Sequence, residues 1–283
     1  MQCLELFHRV ISSDAPIFEK GFERAHATFG VRWARELDAH LECLFGCEEQ
    51  EYRNAVQGYA RVSLSAMRLQ AQLNRKRTHE DPGYEAGCFD LAGTLISQFL
   101  WKHRYRRLQF HREAFLPLLD GTADKRFYDV GSGTGLYSVQ VLRRGAGFRG
   151  YGIDASPRAR DFTARHVDAW GFGADYTTVD ANVLDAGLEP LAFVQSIELL
   201  ERQANPGMFL SRLRKMLAPG GYGFLSAAIA APHDDDGCAY GSSGDVVRQF
   251  KDAGFKVLDS REEPAYEGGP GEIVPRVAAF IVQ

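Results

Sequence analysis

Residues 126–135 read Arg-Phe-Tyr-Asp-Val-Gly-Ser-Gly-Thr-Gly, a short apolar run that ends in an acidic residue and then in a Gly-x-Gly-x-Gly loop. This stretch restricts the fold more than any other. Gly131, Gly133 and Gly135 lack a β-carbon, so the backbone can take dihedrals closed to other residues and a ligand can press against the chain. The residues downstream repeat strand, helix and strand in the order that a doubly wound α/β sheet needs.

The spacing separates two kinds of ligand. A dinucleotide loop is Gly-x-Gly-x-x-Gly and serves a pyrophosphate at the next helix N-terminus, whereas here the third glycine arrives one residue early and Leu136 takes its place. S-adenosylmethionine (SAM) has no phosphate, only a sulfonium and a zwitterionic amino acid, and it fits such a loop. Asp129 at the strand end can meet an ammonium group or the loop amides by charge-assisted hydrogen bonds. Ser132 lies within the loop and Tyr137 just after it. A second strand, Gly150-Tyr-Gly-Ile-Asp-Ala, ends in Asp154 and Ala155, close to the ~20-residue offset at which an acidic side chain takes ribose hydroxyls. A third, Asp175-Tyr-Thr-Thr-Val, leads to Asp180, Ala181 and Asn182, a carboxylate and loop amides for the adenine edge. A fourth, Leu191-Ala-Phe-Val-Gln-Ser-Ile-Glu, carries Gln195, Ser196 and Glu198 at its carboxyl end. Ligands of open α/β sheets bind outside the carboxyl ends of strands, so all these groups converge on one crevice.

Through Asp129-Val-Gly-Ser-Gly-Thr-Gly135, Gly152-Ile-Asp-Ala155, Val179-Asp180 and Leu217-Ala-Pro-Gly-Gly221, the chain resembles the class I SAM-dependent methyltransferases over about residues 120–283. The resemblance implies a Rossmann-like, doubly wound seven-stranded sheet with an antiparallel last strand, the cofactor lying over the first two strands. The end of the sequence accords with it. Strand segments begin at Gly254 and Pro275, and Glu267-Gly-Gly-Pro-Gly-Glu between them is too short for a crossover helix, so the pair reads as a hairpin.

The chain has 283 residues, 45% hydrophobic and 25% charged, which suits a globular protein with a substantial core. It contains no run of about 18 apolar residues to span a bilayer, and its first residues lack a basic start and apolar core; a cytoplasmic protein with no membrane partner is expected. Five cysteines with scattered spacing fit a reducing compartment. Cys43 and Cys47 read as two half-buried thiols on one helix, and no metal site is expected. Net charge is −4, with 16 basic and 16 acidic residues in 1–120 against 17 and 21 in the remainder. No nucleic-acid partner is therefore expected. The one basic cluster, Lys102-His-Arg-Tyr-Arg-Arg107 continuing to His111 and Arg112, reads as the solvated face of an amphipathic helix with Phe99, Leu100, Leu108 and Phe115 opposite, one arginine being turned towards a carboxylate ligand.

The first 120 residues show helical periodicity. Ala34, Leu37, Leu41 and Leu44 share a face that ends at Gly46, a C-cap; a long helix starts near Glu48, with Tyr52, Val56, Tyr59 and Val62 inward; Asp81-Pro-Gly83 breaks the pattern, and a third helical segment starts near Asp90. Residues 1–120 are therefore expected to form an all-helical lid, and residues 121–283 the SAM-binding Rossmann-like domain. The alternative for the helical part is a packing or dimerisation layer, which would make the protein a homodimer. A roof suits chemistry at a sulfonium because it excludes water. Tyr59, Tyr84, Tyr105 and Tyr137 are candidates for cation–π contact to it.

The expected reaction is methyl transfer to a small molecule, of the kind found in small-molecule biosynthesis and secondary metabolism, with proximity and orientation as the protein's main contribution. An O–H or acidic C–H acceptor would need a general base. Where many small-molecule relatives have a histidine after the glutamate of Ser196-Ile-Glu-Leu-Leu-Glu-Arg202, this chain has Arg202. The candidates for acid/base or catalytic work are then Glu198, Glu201, His233 and Tyr105. Two alternatives keep the cofactor. One is a SAM cyclase, similar to azetidine-2-carboxylate synthases, in which the amino nitrogen attacks its own γ-carbon and releases methylthioadenosine. The other is a non-catalytic SAM-binding regulatory protein.

Overall fold

The computed structural model describes residues 2–74, 90–180, 188–230, 240–269 and 272–283. The chain divides into two compact units, Met1–Tyr105 and Arg106–Gln283.

The first unit is helical. α1 (Gln2–Asp14), α2 (Glu19–Phe45), α3 (Glu49–Asn74) and α4 (Leu91–Leu100) pack around Phe7, Trp33, Leu37, Leu41, Tyr52, Val56 and Phe99. Trp33 anchors this core, its indole Nε1 donating to the Phe99 carbonyl at 2.9 Å. The apolar face expected at Ala34, Leu37 and Leu41 is buried, with Leu44 half-buried. Gly46 closes α2 at φ 58°, its amide donating to Glu42. The helix is broken internally at Gly30, where φ is 68° and ψ −156°, a conformation that glycine alone adopts without strain.

The structure corrects two of the sequence expectations. Cys47 is not a helical thiol: it lies beyond the end of α2 and is disulfide-bonded to Cys3, 44 residues earlier, while Cys43 is half-buried within α2 and outside that disulfide. The pairing joins α1 to the turn after α2, a tertiary contact that sequence spacing does not encode. The basic segment is not one amphipathic helix with a solvated face either. Trp101 leaves helical geometry at ψ 116° and separates α4 from α5 (Lys102–Phe110), which runs into a π-helical turn at His111–Phe115. Arg107 and His111 are buried in the second unit, at 1% and 0% exposure.

The second unit carries a seven-stranded sheet in the order β3-β2-β1-β4-β5-β7-β6. β1 (Arg126–Val130), β2 (Arg149–Ile153), β3 (Tyr176–Val179), β4 (Leu191–Ser196) and β5 (Leu217–Ile229) are parallel, and β7 (Arg276–Val282) runs antiparallel to β5 and to the edge strand β6 (Val257–Pro264). The expected terminal hairpin is this β6–β7 pair. All six residues of β4 are buried, as a central parallel strand covered on both faces requires. α6 (Leu136–Leu142), α7 (Pro157–Ala169), α8 (Pro206–Met216) and α9 (Ser243–Asp252) flank the sheet. Three of these helices start where the sequence supplies a cap: Ser156, Asn205 and Ser242 accept from the amides of Ala159, Met208 and Asp245. Val130, Ile153, Val194, Leu213, Leu225, Phe250 and Phe280 lie in one continuous core. Among the described residues no helix is long and apolar enough to cross a membrane.

Candidate functional site

Strand order reverses between β1 and β4: β1 leads outward to β2 and β3, β4 to β5 and the terminal pair. At such a switch point the loops leaving the two central strands turn to opposite sides and open a crevice at their carboxyl ends. The glycine loop leaves β1 there. Its three glycines all have positive φ, 74° at Gly131, 50° at Gly133 and 69° at Gly135, so the spacing marked positions that only glycine fills without strain.

The three are not equivalent. A β-carbon on Gly131 would strike Leu199 at 2.8 Å and one on Gly135 would press Thr163 at 3.0 Å. At Gly133 the nearest neighbour among the described residues would be the Gly131 carbonyl at 3.7 Å, so among these residues this glycine alone of the three borders open space. The loop is held from below by α7, where Thr163 donates to the Gly133 carbonyl at 2.9 Å and His166 donates through Nδ1 to the Thr134 carbonyl at 2.6 Å. Burial lowers the His166 pKa to about 4, against its hydrogen bond to Thr134, and keeps the imidazole neutral in this role. Sequence reasoning missed both residues, whose only trace was a polar pair one turn apart on an otherwise amphipathic helix.

Asp154, at the end of β2, accepts from the Gly133 amide at 3.0 Å and from the Ser156 amide at 2.9 Å. It is half-buried, with the exposed Ala155 beside it. Arg160 of α7 donates to the Asp154 carbonyl at 2.7 Å and pairs with Asp180 at 2.9 Å, tying the ends of β2 and β3 together. Asp180 is 74% exposed and keeps room for another partner. Asp129 is turned inward: it is buried, it accepts from Ser138 at 2.6 Å, and Ser138 in turn meets the Tyr176 hydroxyl at 2.8 Å. Burial lifts its carboxyl to about 6, against the hydrogen bonds of Ser138 and Gln195. The side chain therefore braces β1 against α6 and does not reach the loop amides.

Across the crevice, Ser132 and Ser196 are buried, and the Ser196 hydroxyl has no hydrogen-bond partner among the described residues. Glu198, two residues past β4, has φ 50°, a left-handed conformation that costs a glutamate of order 1 kcal/mol or more. Its amide donates to Ser226 of β5 at 3.0 Å. Its carboxylate pairs at 3.0 Å with Arg107, whose Nε donates to the Tyr137 hydroxyl at 2.8 Å. Burial opposes the charge on Arg107, but Glu198 and Tyr137 outweigh it and raise the guanidinium pKa. Arg107 was legible only as one of a basic run. Nearby, Glu201 is 3% exposed; burial and then the charge of Glu198 push its carboxyl to about 7. His111 donates through Nε2 to the Gln195 side-chain oxygen at 3.2 Å and packs on Tyr137 and Phe224; burial lowers its pKa to about 3.

The second unit thus gathers the glycine loop, Tyr137, Asp154, Asp180, Ser196 and Glu198 at one sheet end. Tyr105 lies buried in the first unit, donating to Glu36 at 3.1 Å and packed on Phe29 and Phe99. Tyr59 is buried in that unit beside Phe18. Tyr84, Ala181, Asn182 and His233 lie outside the described residues.

Residues 100–260 match the methyltransferase domain family. Among curated proteins, the ubiquinone biosynthesis O-methyltransferase of Parvibaculum lavamentivorans is 35% identical over 103 residues, 36% of this chain and 40% of that protein. The protein of that name from Caulobacter vibrioides is 36% identical over 128 residues, 42% of this chain and 50% of the relative. The match thus spans half or less of the length of these relatives. Among solved structures, the 4+2 cyclase SpnF aligns with a TM-score of 0.50 at 16% identity, over 72% of this chain and 84% of its own. The MccD protein aligns with a TM-score of 0.50 at 12% identity, over 62% and 96%. At these identities the likeness is one of fold.

Proposed function

Because the chain belongs to the methyltransferase domain family, we propose that it is a SAM-dependent methyltransferase acting on a small molecule and giving S-adenosylhomocysteine. The observation that carries the reading is the open face of Gly133 between Asp154 and the end of β4: a left-handed glycine bordering free space, with a carboxylate fixed on its amide. A cofactor with an uncharged nucleoside and a zwitterionic tail fits this set of donors and acceptors. SAM supplies an electrophilic methyl on a sulfonium. The residues of the chain bind and orient.

Gly131, Ser132, Gly133 and Gly135 form the cradle, Asp154 takes the ribose hydroxyls with its remaining lone pairs, and Asp180, with Ala155, borders the adenine. Asp129 supports the cradle from within. Ser196 and Tyr137 line the amino-acid end. Glu198 is the candidate for holding or accepting an acceptor's proton, since it stands at the crevice in a strained conformation of the kind that clusters at active sites. The lid role of residues 1–120 belongs to the same proposal and rests on the helices that their described residues form. A cytoplasmic location belongs to it as well, on composition, and the alternative for the helical part, a packing or dimerisation layer, would make the protein a homodimer.

Incubation of the purified protein with SAM and pooled metabolites, followed by mass spectrometry, tests the proposal. The expected result is S-adenosylhomocysteine together with a metabolite heavier by one methylene, and no turnover of SAM alone. Methylthioadenosine from SAM alone would replace methyl transfer by cyclisation, and SAM left intact under all conditions would leave a binding protein.

A further inference from the structure

Resting on that reading, we infer that Thr163 and His166 of α7 are positioning residues for the cofactor: they decide which way the peptides of the glycine loop face. Glycine lets the loop approach a ligand and equally lets it turn away, because it leaves the backbone dihedrals beside a peptide almost unrestrained. The peptide between Gly133 and Thr134 and the one between Thr134 and Gly135 each have a glycine at one end. Either could turn over at little cost unless something held it. A trans peptide, as both of these are, points its carbonyl and its amide in opposite directions. Whatever takes the carbonyl therefore also aims the amide.

Both carbonyls are taken by one helix. Thr163 donates to that of Gly133 at 2.9 Å and His166, through Nδ1, to that of Thr134 at 2.6 Å, and both side chains are buried. The two stand three residues apart on α7, hence on one face, and meet two consecutive loop carbonyls. The second peptide is also held at its other end, where the Gly135 amide donates to the Ser132 carbonyl at 2.8 Å. The first has only Thr163 to fix it. Elsewhere in the loop the amides are used within the protein: those of Gly131 and Ser132 on the Ile153 carbonyl, at 2.7 and 3.4 Å, and that of Gly133 on Asp154. The Thr134 amide has no hydrogen-bond partner among the described residues, and the grip of Thr163 on the Gly133 carbonyl turns it away from α7, to the side left for an acceptor atom of the ligand. Without that grip the loop would also populate the turned-over form, whose carbonyl repels such an acceptor. Apparent affinity falls with the fraction of molecules that keep the competent form.

Calorimetric titration with S-adenosylhomocysteine tests the inference in pairs of variants that separate the donor from the bulk of the side chain. Thr163→Val keeps the shape, including the methyl beside Gly135, and loses the hydroxyl; affinity should fall about tenfold, the usual effect of leaving a buried carbonyl unpaired. Thr163→Ser, which keeps the donor, should recover most of that loss. His166→Leu should weaken binding in the same way, and His166→Asn, with an N–H near the place of the imidazole Nδ1, should recover it. A role in packing alone would follow side-chain size instead. In the wild-type protein, exchange of the Thr134 amide followed by NMR should slow by about tenfold or more on saturation with S-adenosylhomocysteine. Wild-type affinity in a folded Thr163→Val overturns the inference, and so does an equal loss in Thr163→Val and Thr163→Ser. Where the variants fail to fold, unchanged exchange at Thr134 in the saturated wild-type protein overturns it alone. Failure of the wild-type protein to bind S-adenosylhomocysteine would instead sink the proposed function beneath it.

Discussion

Asp154 does two things at once, since the carboxylate that faces the crevice also accepts from the amides of Gly133 and Ser156. Asp154→Ala should weaken S-adenosylhomocysteine binding by about 1.5–3 kcal/mol, the worth of hydrogen bonds to a charged group; unchanged affinity by calorimetry would refute its place in the site. Gly133→Val should abolish binding, because a branched side chain would enter the one open space over the loop at a backbone φ of 50° that valine resists. Circular dichroism would separate that loss from a loss of fold, and a variant that still titrates like the wild type would remove the loop from the site. The glycines and strand-end acids were legible because they answer to local backbone and topological rules. Arg107 was legible only in part: one arginine of the basic run was expected to turn towards a carboxylate, but not which one, because its partner Glu198 comes close only when β4 is laid against β1. The inward turn of Asp129 was hidden too, because it depends on Ser138, one helix away in space and nine residues on in sequence.

Among the elements, strands and their order followed from apolar runs punctuated by glycine and acid, and the terminal hairpin from a connection too short for a helix. The helical part was read less well. Its periodicity gave the faces of α2 and α3, but neither the break at Gly30 nor the separation of α4 from α5 at Trp101 interrupts the pattern of apolar residues. The disulfide between α1 and the turn after α2 escaped because odd cysteine counts carry no pairing information. Cys47→Ser should lower stability by about 2–4 kcal/mol in urea unfolding, as loss of a crosslink of this span does. A variant whose midpoint matches that of the untreated wild type would mean that Cys3 and Cys47 are reduced thiols under those conditions.

At the scale of the molecule, the buried titratable groups give stability a pH dependence with two opposing slopes. The Glu201 carboxyl, raised to about 7 from 4.5, favours folding when protonated; this contribution is present below pH 4.5 and is lost as pH rises through 7. Asp129, raised to about 6, acts in the same sense. His111, lowered to about 3 from 6.5, contributes above pH 6.5 and loses its contribution as pH falls towards 3. Glu201→Gln should therefore be close to neutral at pH 4 and stabilising by on the order of 2 kcal/mol at pH 8. Urea midpoints measured across that range would decide it, and parallel curves for variant and wild type would show that Glu201 ionises normally.

The link from Cys3 to Cys47 also fixes what a protease can do to this chain. A single cut anywhere between them nicks the backbone without releasing a piece, since the segment ahead of the cut stays tethered through sulfur. The nicked protein would run as one species on a gel without reductant and as two with it.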